Sequence, residues 1–169
     1  MGFVVIGIVL VICIFTVTLV VIKKHSKGDI KMEVTPVCEG KNELDQAIMK
    51  IYFTFSIGNL AHRKKEIIGS IDWSKGWMPV CYNLKENGAY QKDRLLPVTN
   101  EETYTTFEIN AKSAIDHLGQ GEGYIVLVLE DPISTDKSRA GVILAVTANM
   151  VTYQLSDSTS WKNDFAVNH

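Results

Sequence analysis

The chain has 169 residues, a formal net charge of −2 and 46% hydrophobic residues, which suits a folded domain and excludes a disordered polyelectrolyte. From Gly28 onward 14 Lys and Arg stand against 19 Asp and Glu, a net charge of −5, so no nucleic acid is expected as a partner. Three cysteines without a C-x-x-C pair and four histidines without ligand spacing give no reason to expect a cofactor or a metal.

In chain order, Phe3 to Ile22 is a run of twenty residues without a charge. As a helix it would be about 30 Å long, the thickness of a bilayer's hydrocarbon. It is longer than a signal peptide's apolar region and lacks a small-x-small cleavage site, so residues 1–22 are expected to be an uncleaved transmembrane anchor. Lys23, Lys24, Lys27 and Lys31 follow within ten residues, in a basic juxtamembrane segment 23–31. The positive-inside rule then puts the N-terminus outside and the remainder in the cytosol, with the lysines against anionic lipid headgroups.

Residues 32–155 are expected to form one β-rich domain. Met49 to Ile57 alternates strictly, with Met49, Ile51, Phe53, Phe55 and Ile57 on one face, the pattern of a half-buried strand. Gly58-Asn59 reads as a two-residue hairpin turn, and Ser74-Lys75-Gly76 separates a strand ending near Trp73 from one beginning at Trp77. Asn87-Gly88 is a type I′ turn signal between Val80-Cys81-Tyr82 and Ala89-Tyr90, so the middle of the chain reads as a meander. Thr103 to Ile109 is another strand. Asn110 to Gly119 has a capping Asn, an apolar stripe of Ala111, Ala114, Ile115 and Leu118, and a terminating Gly, and predicts one short helix.

Tyr124 to Leu129 and Val142 to Val146 are apolar strands joined by a polar loop at 131–139, and Val151 to Leu155 is a further strand before a polar C-terminal tail, 156–169. About eight short strands predict a mainly β fold, an antiparallel sandwich or open barrel with one short helix behind a transmembrane helix.

Little in the chain points to chemistry. Gly119, Gly121 and Gly123 follow the expected helix and precede a strand, the reverse of a phosphate-binding loop, and read as a connection. Cys38 and Cys81 are free thiols in a cytosolic domain or a disulfide in a luminal one. Cys81 with His62 or His117 as base is the one constellation that would make a thiol enzyme. Trp73, Trp77, Met78 and Tyr82 cluster about a tight turn and are the best candidate for binding a protein partner, with the loop at 131–139 as the second. Arg63, Lys64 and Lys65 are the densest basic run of the domain and join Lys23, Lys24, Lys27 and Lys31 as candidate membrane-surface residues. The expected function is a single-pass, membrane-anchored interaction module, an adaptor or accessory subunit. The alternatives are a surface or luminal binding domain with a Cys38–Cys81 bridge, and a thiol-dependent enzyme.

Overall fold

A computed structural model describes residues 30–63, 65–98, 103–131 and 136–164. Ten strands are present among the described residues: β1 (Ile30–Lys41), β2 (Ala47–Ile57), β3 (Lys65–Trp73), β4 (Trp77–Glu86), β5 (Ala89–Tyr90), β6 (Arg94–Leu95), β7 (Tyr104–Ile109), β8 (Gln120–Leu129), β9 (Lys137–Ala148) and β10 (Val151–Lys162). One sheet runs β1-β2-β8-β4-β5, with β6 also paired to β4, and the other runs β10-β9-β3-β7. All pairings are antiparallel. The fold is an antiparallel sandwich of two sheets, called sheet 1 and sheet 2 below.

Alternation decides what each strand buries. Met49, Ile51, Phe53, Phe55 and Ile57 of β2 are all buried, as their spacing requires. From the opposing sheet Val142, Leu144 and Val146 of β9 and Ile67 and Ile71 of β3 close on them. Burying a side chain of this kind is worth roughly 1.5–3 kcal/mol. The sheets adjoin at β1 and β10, where the Val34 N–H donates to Asp157 Oδ2 at 2.8 Å.

Several expectations need correction. The Asn110–Gly119 stretch is not a helix but a chain of turns. Its Asn and Asp capture the local N–H groups that a helix would need: Asn110 Oδ1 accepts from Lys112 N, and Asp116 Oδ1 accepts from Leu118 N and Gln120 N. The middle of the chain is not a meander either. Gly58-Asn59 opens a 3-10 helix, Gly58–His62, that carries the chain from sheet 1 to sheet 2, and the 74–76 turn carries it back. Residues 119–123 are no loose connection, since β8 already begins at Gln120. A Cβ at Gly121 would overlap the Phe55 ring and lie 2.8 Å from the Ala114 carbonyl oxygen. The glycine is there so that the ring can lie flat across the strand.

One turn matches its sequence signal. Asn87 and Gly88 have φ of 52° and 84°, as a type I′ hairpin demands, and β4 pairs with β5 across them. β1 adds an edge strand from Ile30, and β10 runs past Leu155 to Lys162 in the stretch expected to be a polar tail. The expected anchor at 1–22 lies outside the described residues, and no helix among those described is long and apolar enough to cross a membrane.

The sandwich has two distinct ends. At the entry end lie Ile30, the 58–63 connection, the Asn87-Gly88 turn, the 110–119 turns and the Asn149-Met150 turn. Registers Ile30↔Ile57, Ser56↔Gln120, Ile67↔Ile109 and Lys65↔Ala148 bring them together. The far end carries the 42–46 and 74–76 turns and the strand ends at Leu129, Lys137 and Lys162.

Candidate functional site

The outward-facing residues of sheet 1 form a trench. Registers set them in rows across β1, β2 and β8: Lys31, Ser56 and Gln120, then Glu33, Thr54 and Glu122, then Thr35, Tyr52 and Tyr124. Toward the entry end the face sinks into a cleft of about 770 Å³, floored by Thr54, Ser56, Gln120 and Glu122. Lys31 and Glu33 wall it on one side, and Lys85 with the Asn87-Gly88 turn on the other. The 110–119 turns close its end, held by a bond from the Asn87 N–H to the Ser113 carbonyl at 2.8 Å. Two ion pairs lie within the lining, Lys85 to Glu122 at 2.9 Å and Lys31 to Glu33 at 4.0 Å, and Asp116 adds one further negative charge. Such partly exposed pairs contribute about 0–1 kcal/mol and serve mainly to leave the lining nearly neutral.

Beyond Glu122 the trench opens onto a shelf of tyrosines. Tyr52 and Tyr124 lie 5.5 Å apart between ring centroids, Tyr90 and Tyr124 5.3 Å apart, and Lys50 Nζ sits 4.9 Å over the Tyr124 ring. Beneath them Asn83, only 2% exposed, ties the 91–93 segment to β4. Its Nδ2 donates to the Gln91 carbonyl at 2.6 Å and to Asp93 Oδ1 at 2.6 Å, and its Oδ1 accepts from the Gln91 N–H at 3.0 Å. Tyr124 OH also donates to Asp93 Oδ1, at 2.9 Å.

The electrostatics follow from those bonds. The Asn83 amide, and after it Tyr124 and Cys81, hold the Asp93 carboxyl below its ordinary range. Burial first, then the Asp93 hydrogen bond, pushes Tyr124 up to about 12; burial first, then Glu122, does the same to Tyr90. Both phenols therefore stay neutral at any physiological pH. Burial first, then the charge of Asp93 3.6 Å away, pushes the Cys81 thiol up to about 11. A thiol raised in this way is not an activated nucleophile.

No family model and no curated relative matches the sequence. Among solved structures, the full-length major pilin SpaD from Corynebacterium diphtheriae superposes with a TM-score of 0.56 at 10% identity, over 79% of this chain and 34% of that one. The N-terminal domain of the Streptococcus gordonii adhesin Sgo0707 gives 0.52 at 11% identity, over 79% of this chain and 32% of that one. The chain thus spans about a third of either structure, and at such identities the likeness is one of fold.

The residues singled out in the sequence are dispersed. Trp73, Trp77 and Tyr82 are buried in the core and Met78 is half-buried, so the turn presents no aromatic tip to a partner. The alternation around the turn points both indoles inward. Part of the 131–139 loop, at 132–135, lies outside the described residues, as do Lys23, Lys24, Lys27 and Lys64. Lys31 lines the trench, Arg63 is exposed, and Lys65 Nζ donates to the Ala61 carbonyl at 2.6 Å, burial lowering its pKa.

Cys38 and Cys81 are both free. Cys38 stands opposite Met49, Met49 opposite Leu127, and Leu127 opposite Pro79, so β2 and β8 separate the two cysteines. Three strand spacings make about 14 Å, against a Cα separation below about 7 Å in a disulfide. No bridge forms. Nor do Cys81 and its candidate bases meet among the described residues: Cys81 pairs opposite Val126, whereas His117 and His62 lie beyond the Gln120 end of β8, six residues of strand or about 20 Å away. What the sequence reading missed is the outward half of the alternation, Tyr52 and Thr54 on β2 and Glu122 and Tyr124 on β8. The spacing that identified the core also fixed these positions.

Proposed function

We propose that this domain is a surface-displayed binding module, tethered through its N-terminal segment, and that it takes a polar ligand in the trench on the outer face of sheet 1. The observation that carries the reading is the trench itself: a concave, nearly neutral cleft running into a shelf of three tyrosines, the combination of shape, few placed polar groups and aromatic area that marks binding sites. The likeness in fold to a pilin and to an adhesin domain supports display at a surface. A second reading, a cytosolic adaptor, rests on Lys23, Lys24, Lys27 and Lys31 following the apolar stretch.

The two are separated by sidedness. Under display, a membrane-impermeant maleimide added to intact cells labels the exposed Cys38, labelling is lost in Cys38→Ser, and Cys81 stays unmodified at pH 7.5 because its thiol is raised and half-buried. Cys38 protected until the membrane is opened would refute display.

The trench is tested with the full chain in detergent against immobilised matrix proteins and polysaccharides. Tyr90 is 42% exposed on a short strand, so Tyr90→Ala leaves the core untouched and is expected to weaken binding about tenfold. Ile68→Ser, on the outer face of sheet 2, is expected to change nothing. No binding, or binding indifferent to Tyr90→Ala, would overturn the trench as the site.

A further inference from the structure

Three features of the trench decide what kind of ligand it suits, and charge is the first. In the cleft Lys31 and Lys85 stand against Glu33, Glu122 and Asp116. Around the shelf Lys50 pairs with Glu39 at 3.5 Å and Arg94 with Glu86 at 2.8 Å, while the exposed Lys92 lies next in sequence to Asp93. The whole site is therefore within one charge of neutral, and a charged ligand is neither drawn to it nor steered along it.

The second feature is the set of hydrogen-bonding groups. Thr54 and Gln120 on the floor and Asn87 on the wall are exposed, and their side chains form no hydrogen bond among the described residues. A hydroxyl or a carboxamide both donates and accepts, which matches a ligand whose own groups are hydroxyls. The backbone beneath adds nothing. In the order β1-β2-β8-β4 the strands β2 and β8 have a neighbour on each side, so the trench has no open strand edge on which a peptide could extend the sheet.

The third feature is the shape of the shelf. The Tyr52 and Tyr90 rings are tilted by 56° and 47° to the Tyr124 ring between them, which makes a shallow cradle rather than a flat platform. Aromatic faces are negative and attract weakly positive C–H groups. A saturated ring with C–H on its face and hydroxyls on its rim meets both the tyrosines and the polar floor. Four residues of β8, or about 13 Å, separate Gln120 from Tyr124, so the trench is long enough for several such rings in a row.

Granted the trench as the domain's binding site, we infer that it takes an uncharged oligosaccharide, with one sugar ring seated against Tyr90 and the next running along β2 and β8 toward Thr54 and Gln120. Side chains alone read this ligand, and the paired charges keep competing ions from dominating the contact.

The test uses the full chain in an amine-oxide detergent, so that no detergent sugar competes. It is passed over immobilised glucose, galactose, mannose and N-acetylglucosamine, each from monosaccharide to pentasaccharide, over sulfated and sialylated counterparts, and over unglycosylated peptides. At least one uncharged series is expected to bind, the longer chains better than the monosaccharide, with no gain from sulfate or sialic acid and no loss at high salt. Periodate, which opens the vicinal diols of the immobilised sugar, is expected to abolish binding. Tyr90→Ala is expected to weaken it about tenfold and Thr54→Val, which exchanges an exposed hydroxyl for a methyl, about fivefold, whereas Ile68→Ser changes nothing. Far-ultraviolet circular dichroism of each variant confirms that the sandwich is intact. Binding confined to peptides or to charged glycans, yet weakened by Tyr90→Ala, would overturn the oligosaccharide and leave the trench as the site. Binding of an uncharged sugar indifferent to both Tyr90→Ala and Thr54→Val would remove the trench itself. Retention on none of these surfaces would overturn both.

Discussion

Trp77→Ala is expected to destabilise the domain by about 3–5 kcal/mol, the range for truncating a buried aromatic, and so to remove much of a stability that for a domain of this size is roughly 5–15 kcal/mol. The side chain is 3% exposed and meets Trp161 edge-on, with centroids 5.4 Å apart and planes at 84°. Its Nε1 donates to Ser138 Oγ at 3.0 Å, in a buried bond that links β4 of sheet 1 to β9 of sheet 2. Truncation therefore leaves three defects: a cavity, an indole without its edge contact, and a buried hydroxyl without its donor. Trp77→Phe keeps most of the volume and loses the bond, and is expected to cost about 1–2 kcal/mol. Urea unfolding monitored by circular dichroism gives both values. A loss below about 1 kcal/mol for Trp77→Ala would mean that the indole is not the inter-sheet tie described here, and a partner-binding role for Trp73 and Trp77 would regain its standing.

The contrast between Trp77 and Tyr124 shows what the sequence made legible. Period-two alternation identified β2, the apolar parts of β8 and β9, and a mainly β antiparallel class, with sandwich and open barrel both left standing. It did so because core formation depends only on which face of each strand is apolar. The same pattern stands in Ile30-Lys31-Met32-Glu33-Val34, but that stretch follows the juxtamembrane lysines, and β1 went unread as a strand. Tertiary placement was beyond reach for a different reason. The turns at 58–62 and 74–76 look like hairpin turns locally, yet the chain leaves one sheet for the other at each, and that choice is made by packing between residues far apart in sequence. At Asn110–Gly119 the apolar spacing suggested a helix, but side-chain oxygens of Asn110 and Asp116 offered the backbone a competing set of bonds and prevailed. The site fared worst because its residues come from β1, β2, β4, β5 and β8, and only their registers bring them onto one face.

Asn83→Ala, the second large effect expected, joins stability to the site. Asn83 bonds both backbone groups of Gln91 as well as the Asp93 carboxylate, and its loss forfeits three part-buried bonds at about 0.5–1.5 kcal/mol each, since water can reach the exposed Gln91 and Asp93. A total of about 2–4 kcal/mol is expected, with the 91–93 segment released from β4. The pH dependence identifies the cause. Asp93 has its pKa lowered on folding, chiefly by the Asn83 amide, so its contribution is fully present above the unfolded value near 3.8 and is lost as pH falls through the lower folded value. Asp93→Asn should remove this acid-side slope while keeping most of the Asn83 bonds, and Asn83→Ala should flatten it together with the loss of stability. Urea midpoints measured between pH 6 and about pH 2.5 test both. Equal acid slopes in the wild type and Asp93→Asn would dismiss the carboxylate as the responsive group. Because Tyr124 OH donates to that same carboxylate oxygen, Asn83→Ala should also loosen the tyrosine shelf and weaken binding in the trench under conditions where the domain remains folded. A binding loss in Asn83→Ala reversed by no change in temperature or urea, and matched by Tyr90→Ala, would locate the effect at the shelf rather than in unfolding.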